Sequence, residues 1–342
     1  MATYEGKKYK MLEIRHRVKE FILGTKIAMK SSHLQRPSSE KPLIIAMIDG
    51  ESFHGGLCDR FKGIISLYAY CKKHHYPFRI RYTYPFNLED FLSPAQYDWT
   101  LKEGEYTDNP RYSRVLYMRG EHHATRLLNL HVKKQIHFYS NRDMLPRINA
   151  AYSKTSLNDE GYDWGELFRE LFKPGEILQA RLDKLSREIG KDYDAAVFRF
   201  QNLLGDFKEY HFKELADKKE AENLLNKCLN YVRQLKAASP HRALLVTSDS
   251  TTFLHHVSQI SGVYIIPGTL THMDRVKHGA SASDSCASVS DSMELHIKSF
   301  LDFYMISNAK KIFRVGTSIM YPSQFPVYAA KIHNRPFESV TL

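Results

Sequence analysis

The run Pro42-Leu-Ile-Ile-Ala-Met-Ile-Asp49, followed shortly by His54-Gly-Gly-Leu-Cys-Asp-Arg60, decides the fold class. Its apolar residues are continuous rather than alternating, and the run has the length of a strand. That pattern suits a strand buried on both faces, as in a parallel sheet. Gly50, Gly55 and Gly56 then form a tight loop, and Ile64, Ile65, Tyr68 and Cys71 recur at helical spacing beyond it. Pro77 to Tyr84 reads as a second strand. The unit is strand, glycine loop, helix, strand. Glycines in such a loop let the backbone approach a ligand, and the helix N-terminus behind them favours negative charge. A plain strand–helix turn uses the same residues.

Outward from this unit, similar apolar runs occur at Arg114–Met118, Gln135–Tyr139, Ala195–Phe200, Ala243–Thr247, Val263–Pro267 and Lys311–Val315. Helical patterns lie between several of them. One carries Leu224, Leu225, Cys228, Leu229, Val232 and Leu235; another carries Met293, Ile297, Phe300, Leu301 and Tyr304 and ends near Asn308. Strands alternating with helices predict an α/β fold. A chain of 342 residues exceeds what one core usually supports. The expectation is two Rossmann-like domains facing a cleft, over 37–180 and 181–342, after a basic segment over 1–36. The small polar stretch 277–292 reads as a mobile loop, either a lid or an ordinary solvated loop.

The formal charge is +11, from 49 basic and 38 acidic residues. Nine of the basic residues and only three acids fall within residues 1–36, so about half of the excess sits at one end. A nucleic-acid protein would spread its basic residues along a face and interleave them with aromatics, so nucleic acid is not expected. Met11, Ile14, Val18, Phe21 and Ile22 predict an amphipathic helix over 9–23. It either meets an anionic membrane surface or packs its apolar side on the body. Ser31 to Pro42 reads as a linker.

Several chemistries lack their motifs. There is no GxxxxGK[ST], no HExxH and no GxSxG. The four cysteines lie far apart, without a CxxC, which argues against a zinc ribbon or a disulfide framework. No apolar run is long enough to span a membrane and no apolar signal region opens the chain, so a cytoplasmic protein is expected. His122-His123 with His131 is the densest histidine group, but neighbours on a strand point to opposite faces. Asp192-Tyr-Asp194 precedes a strand, whereas ligands gather at strand carboxyl ends.

The remaining signal lies in the second half. Ala195-Ala-Val-Phe-Arg-Phe-Gln201 holds an arginine among apolar strand residues, which costs desolvation unless Arg199 meets an anion. A diphosphate suits its bidentate donors, and so does an internal acid such as Asp206. Ser248-Asp249-Ser250 follows one strand; Gly316-Thr-Ser318 and Ser323-Gln-Phe325 follow another. Small hydroxyl residues between strand and helix can cradle phosphate. Ser323 equally suits a helix N-cap.

Taken together these segments resemble the fucosyltransferase superfamily with the GT-B fold, which includes the rhizobial nodulation fucosyltransferase and the protein O-fucosyltransferases. Gly55-Gly-Leu-Cys-Asp-Arg60 matches its early glycine loop, and Val197-Phe-Arg199 its His-x-Arg strand. Ser248-Asp249-Ser250 matches its Thr-Asp-Ser strand end, and Asp302–Ala309 with Ser323-Gln-Phe325 its late helix and Ser-x-Phe element. Cys58 stands in place of a glycine and Val197 in place of the histidine. The Gly-Asp that usually follows the arginine closely appears only at Gly205-Asp206.

The resemblance implies an inverting, metal-independent transfer of fucose from GDP-fucose to a glycan, with no cofactor. Donor-binding positions would be Gly55, Gly56, Arg60, Arg199, Asp249, Ser318, Ser323, Gln324 and Phe325. Arg199 would stabilise the leaving diphosphate, and Asp59 or Glu51 would act as base. Rival readings are a GT-B transferase for another nucleoside-diphosphate sugar, and a non-catalytic binding module. Residues 85–112, with Tyr84, Phe86, Phe91, Tyr97, Trp99, Tyr106 and Tyr112 in or beside them, offer either an acceptor surface or a core patch. The expected place is the bacterial cytoplasm, with residues 1–36 near the inner membrane.

Overall fold

The structure is a computed structural model that describes residues 2–39, 41–118, 124–153, 161–206, 214–215, 217–269 and 289–342. The His122-His123 pair and most of the 277–292 loop lie outside the described residues. In chain order the first half contains α1 (Ala2–Lys30), β1 (Ile44–Ile48), α2 (Leu57–His74), β2 (Phe78–Tyr82), β3 (Leu92–Pro94), β4 (Ser113–Met118), α3 (Ala124–Leu128), β5 (Gln135–Ser140), α4 (Leu145–Ser153), α5 (Trp164–Leu171) and β6 (Phe172–Pro174). The second half contains α6 (Glu176–Ile189), β7 (Tyr193–Phe198), α7 (Lys218–Ala238), β8 (Ala243–Ser248), α8 (Thr251–Val257), β9 (Val263–Tyr264), α9 (Val289–Asn308), β10 (Ile312–Gly316), α10 (Phe325–Ile332) and β11 (Phe337–Thr341).

The chain divides into two compact units. One comprises Met1–Leu88 with Pro94–Phe172, the other Glu89–Ser93 with Lys173–Leu342. The division set at 180/181 from sequence falls inside α6. That helix buries Leu178, Leu182, Leu185 and Ile189, so its apolar stripe keeps it whole.

The first unit is built on a parallel sheet of order β2-β1-β5-β4. All five residues of β1 are buried, as its unbroken apolar run requires of an inner strand. Edge strand β2 alternates buried and half-buried residues. Helix α2 crosses β5 closely: a Cβ on Gly63 would sit 2.0 Å from the Ser140 carbonyl oxygen. Ile27 of α1 joins Leu43, Ile45, Met47, Val115 and Tyr139 in one apolar cluster. Of the aromatics after β2, Phe86, Phe91, Trp99 and Tyr106 are buried in the core, while Tyr84, Tyr97 and Tyr112 are half-buried.

The second unit holds a parallel sheet of order β11-β10-β7-β8-β9. Numbered within the unit and read from β9, the order is 3-2-1-4-5, the doubly wound arrangement. Central strand β7 is buried along its length. Phe198, Phe200 and Phe253 gather against Leu224, Cys228 and Val232 of α7. Residues 89–93 belong to this unit although they lie within the sequence of the first: Phe91 stacks on Phe300 with centroids 4.4 Å apart, and its carbonyl accepts from Gly175 N. Among the described residues no helix is long and apolar enough to cross a membrane.

Candidate functional site

In a doubly wound sheet, ligands bind outside the strand carboxyl ends where the order reverses. In the second unit that point lies between β7 and β10. Register places Phe198 level with Ser248 on one side and Val315 on the other. Arg199, Asp249 and Gly316 therefore leave three adjacent strands side by side. Arg199 lies just past the end of β7, not within it as its apolar neighbours suggested.

Arg199 is held by Asp249, with Nε 3.2 Å from Oδ2. The Arg199 side chain is 25% exposed and that of Asp249 only 5%. Asp249 also accepts from Phe200 N at 2.8 Å and Gln201 N at 2.7 Å. Burial pushes its carboxyl above the usual range, against the pull of Arg199 and those two amides. The internal acid weighed for Arg199 was Asp206, but the structure supplies Asp249. Asp249, expected near the nucleotide base, is paired with Arg199 and with the two amides that follow it.

Asp206 is committed elsewhere. It accepts from Thr252 N at 2.6 Å and Ser250 Oγ at 2.8 Å, at the start of α8. Burial raises its pKa, but these hydrogen bonds outweigh it and the net shift is downward. The end of α8 thus already holds a carboxylate, which opposes a phosphate there. This corrects the reading of Ser248-Asp249-Ser250 as a phosphate cradle. Ser250 is the helix cap, its Oγ accepting from Phe253 N at 3.0 Å.

The loop after β10 is differently furnished. Among the described residues Thr317 Oγ1 is buried without a hydrogen-bond partner, while Ser318 and Gln324 are exposed. A buried polar atom left unpaired is costly, so this hydroxyl stands ready to pair with a polar group. Ser323 Oγ accepts from Phe325 N at 3.2 Å, but the N-cap of α10 is Gln324, one residue later than the sequence suggested. Phe325 packs on Phe303 of α9 with centroids 5.0 Å apart. Arg314 of β10, not anticipated from sequence, donates to Ser339 Oγ and to the Ser323 carbonyl, tying the loop to the sheet. Its signal was a charged residue inside an apolar strand run.

In the first unit the order reverses between β1 and β5. There Asp49, directly after β1, accepts from Tyr139 Oη at 2.6 Å and from Glu51 N at 3.0 Å. Gly50 N donates to His54 Nε2 at 3.2 Å. Burial opposes ionisation of Asp49, but His54, Tyr139 and the Glu51 amide outweigh it and lower its pKa. The sequence reading passed over this cluster; an acid closing a buried strand was the available sign.

Gly55 has φ +77°, and a Cβ there would meet the Asp59 carboxylate at 2.7 Å. Gly56 is the N-cap of α2, with no side-chain cap. Asp59 pairs with Lys62 at 2.9 Å, and Glu51 pairs with Lys26 at 2.8 Å. Arg60, expected at the donor, is fully buried. Its Nε donates to the Gly55 carbonyl at 2.9 Å and Nη1 to Tyr82 Oη at 3.0 Å. It shapes the glycine loop from inside rather than offering charge to solvent. Asp192 and Asp194, at the other end of β7, pair with Arg242. Among the described residues no group of three His, Cys, Asp or Glu is arranged to hold a metal ion.

The order and direction of the strands define an α/β protein of the doubly wound type. No family model and no curated protein sequence matches the chain. Solved structures do. A structure of NodZ alpha-1,6-fucosyltransferase soaked with GDP-fucose aligns over 85% of this chain and 92% of its own, with a TM-score of 0.50 at 13% identity. The fucosyltransferase NodZ from Bradyrhizobium aligns over the same shares at TM-score 0.51 and 12% identity. POFUT1 in complex with GDP aligns over 88% of this chain and 99% of its own, at TM-score 0.42 and 8% identity. The NodZ structures carry the comparison, and what they share with this chain is the GT-B fold.

Proposed function

We propose that this chain is a glycosyltransferase that moves fucose from GDP-fucose to a glycan hydroxyl, with inversion and without a metal ion. The observation that carries the reading is Arg199, held by buried Asp249 at the point where the sheet order reverses. The fold shared with NodZ supports it.

In this reaction the acceptor oxygen forms a bond to the anomeric carbon as the bond to the diphosphate breaks. The leaving GDP takes the electron pair, and the acceptor proton passes to a base. Charge develops on the diphosphate, so a fixed guanidinium stabilises the transition state more than the ground state. Asp249 holds Arg199 in place beforehand, which removes the cost of orienting it during the reaction. The Thr317 and Ser318 hydroxyls supply further donors from the neighbouring strand end. Ser323, Gln324 and Phe325 open α10 beyond them.

Turnover of GDP-fucose to GDP, with and without glycan acceptors, tests the reading. Arg199→Ala should lower kcat/KM at least ~100-fold, about 3 kcal/mol, while the thermal midpoint stays close to that of the parent. Normal turnover by the variant would remove Arg199 from the site. Stabilisation of the parent by UDP and not by GDP would point to another nucleoside-diphosphate sugar. Asp59→Asn and Glu51→Gln, measured in the same assay, test the two candidate bases.

A further inference from the structure

Helix α1 carries an apolar stripe that the protein leaves uncovered. Met11, Ile14, Val18, Phe21, Ile22 and Met29 are all exposed, Phe21 at 75% and Met29 at 83%. At about 100° per residue these six side chains fall within an arc of roughly 100°. From Met11 to Met29 the stripe runs about 27 Å, at 1.5 Å per residue. The opposite side faces the body: Ile27 and Glu20 are buried, and Glu20 takes both guanidinium nitrogens of Arg126 at 2.7 and 2.6 Å. The helix is anchored by one face and shows its apolar face outward, the reverse of an ordinary surface helix.

The exposed charges beside the stripe are mainly positive. Arg15 and Lys19 are exposed along one edge, where Lys26 is paired with Glu51, and Arg17 is exposed along the other. Next to that second edge a cavity of about 570 Å³ opens, whose charged lining is Arg17, Arg114, Lys133 and Lys134 with the acids Glu20 and Asp108. Apolar side chains bordered on both sides by cations match the interface of an anionic bilayer. There the apolar groups enter the acyl boundary and the cations meet headgroup phosphates. A second copy of the chain is the poorer occupant, because a two-fold pairing sets like charge against like charge. We infer that α1 is an in-plane membrane anchor, and that it docks this protein on an anionic lipid surface through the Met11–Met29 stripe.

Co-sedimentation of the full chain with vesicles tests this. One set is phosphatidylcholine alone, and the other contains roughly one third phosphatidylglycerol. The parent should bind the anionic vesicles at least ~10-fold more tightly than the neutral ones, and less tightly as salt rises. Ile14→Glu with Phe21→Glu should weaken binding at least ~10-fold. Both positions are exposed, so an unchanged circular dichroism melt should accompany that loss. Arg15→Ser with Lys19→Ser keeps the stripe and should lose mainly the preference for anionic lipid. Three results would overturn the inference: no binding of the parent to either vesicle, equal binding by the Ile14/Phe21 variant, or a self-associated parent that this variant dissociates.

Discussion

Arg199 illustrates what single residues can and cannot announce. An arginine among apolar neighbours had to be compensated, and the structure compensates it. The partner was not legible, because register between β7 and β8 is what brings Asp249 beside Arg199. The sequence suggested Asp206, the next acid along the chain. The fold gives Asp249 to the arginine and Asp206 to the start of α8. Arg60 shows the converse: a motif position can be right in kind while the side chain turns inward. Asp249→Ala should therefore do two things. It releases Arg199 and lowers turnover in the same assay. It also strands the Phe200 and Gln201 amides in a buried place, costing about 2–3 kcal/mol in urea unfolding. Unchanged stability would mean that those amides find water.

At the scale of elements, the inner strands were the easiest to read, since continuous apolar runs of five or six residues admit little else. Edge strand β11 was not predicted. Its Phe-Glu-Ser-Val-Thr sequence is short, half polar and buries little. Helix α1 was predicted over 9–23, but it extends from Ala2 to Lys30. Its outward apolar face runs against the usual inference from amphipathicity. Four of the aromatics after β2 lie in the core, a choice that composition alone leaves open. Helix α2 owes its place to Gly63 as much as to its apolar face. Gly63→Ala would put a methyl group 2.0 Å from the Ser140 carbonyl oxygen, so α2 or β5 must move. A loss of about 2–3 kcal/mol is expected by chemical denaturation, against a small gain for an ordinary helical Gly→Ala. A stabilised variant would show that the two elements yield easily.

For the molecule as a whole, the +11 charge divides unevenly, and so does sensitivity to acid. His137 is buried beside Asp108 and stacked on Tyr106, whose hydroxyl donates to Asp108. Burial lowers its pKa from 6.5 to about 4. The unfolded chain thus takes up a proton near pH 6.5 that the folded chain refuses. Stability present above that pH is lost as pH falls toward 4, by at most about 1.4 kcal/mol per unit. Asp49, its pKa lowered, adds its loss in the same direction below the ordinary carboxylate range. The fall in thermal midpoint between pH 6.5 and 4 should be shallower in His137→Gln, and an equal slope would exclude this histidine as the cause. Residues 89–93 bear on something else, the order in which the protein is assembled. Phe91 is made early but rests on Phe300, so during synthesis on the ribosome it waits for about two hundred further residues before its partner emerges. The first unit can complete its sheet meanwhile, whereas the second closes its core only when the chain is nearly finished. A cut of the gene at residue 173 would leave that later unit without a piece of its own interior.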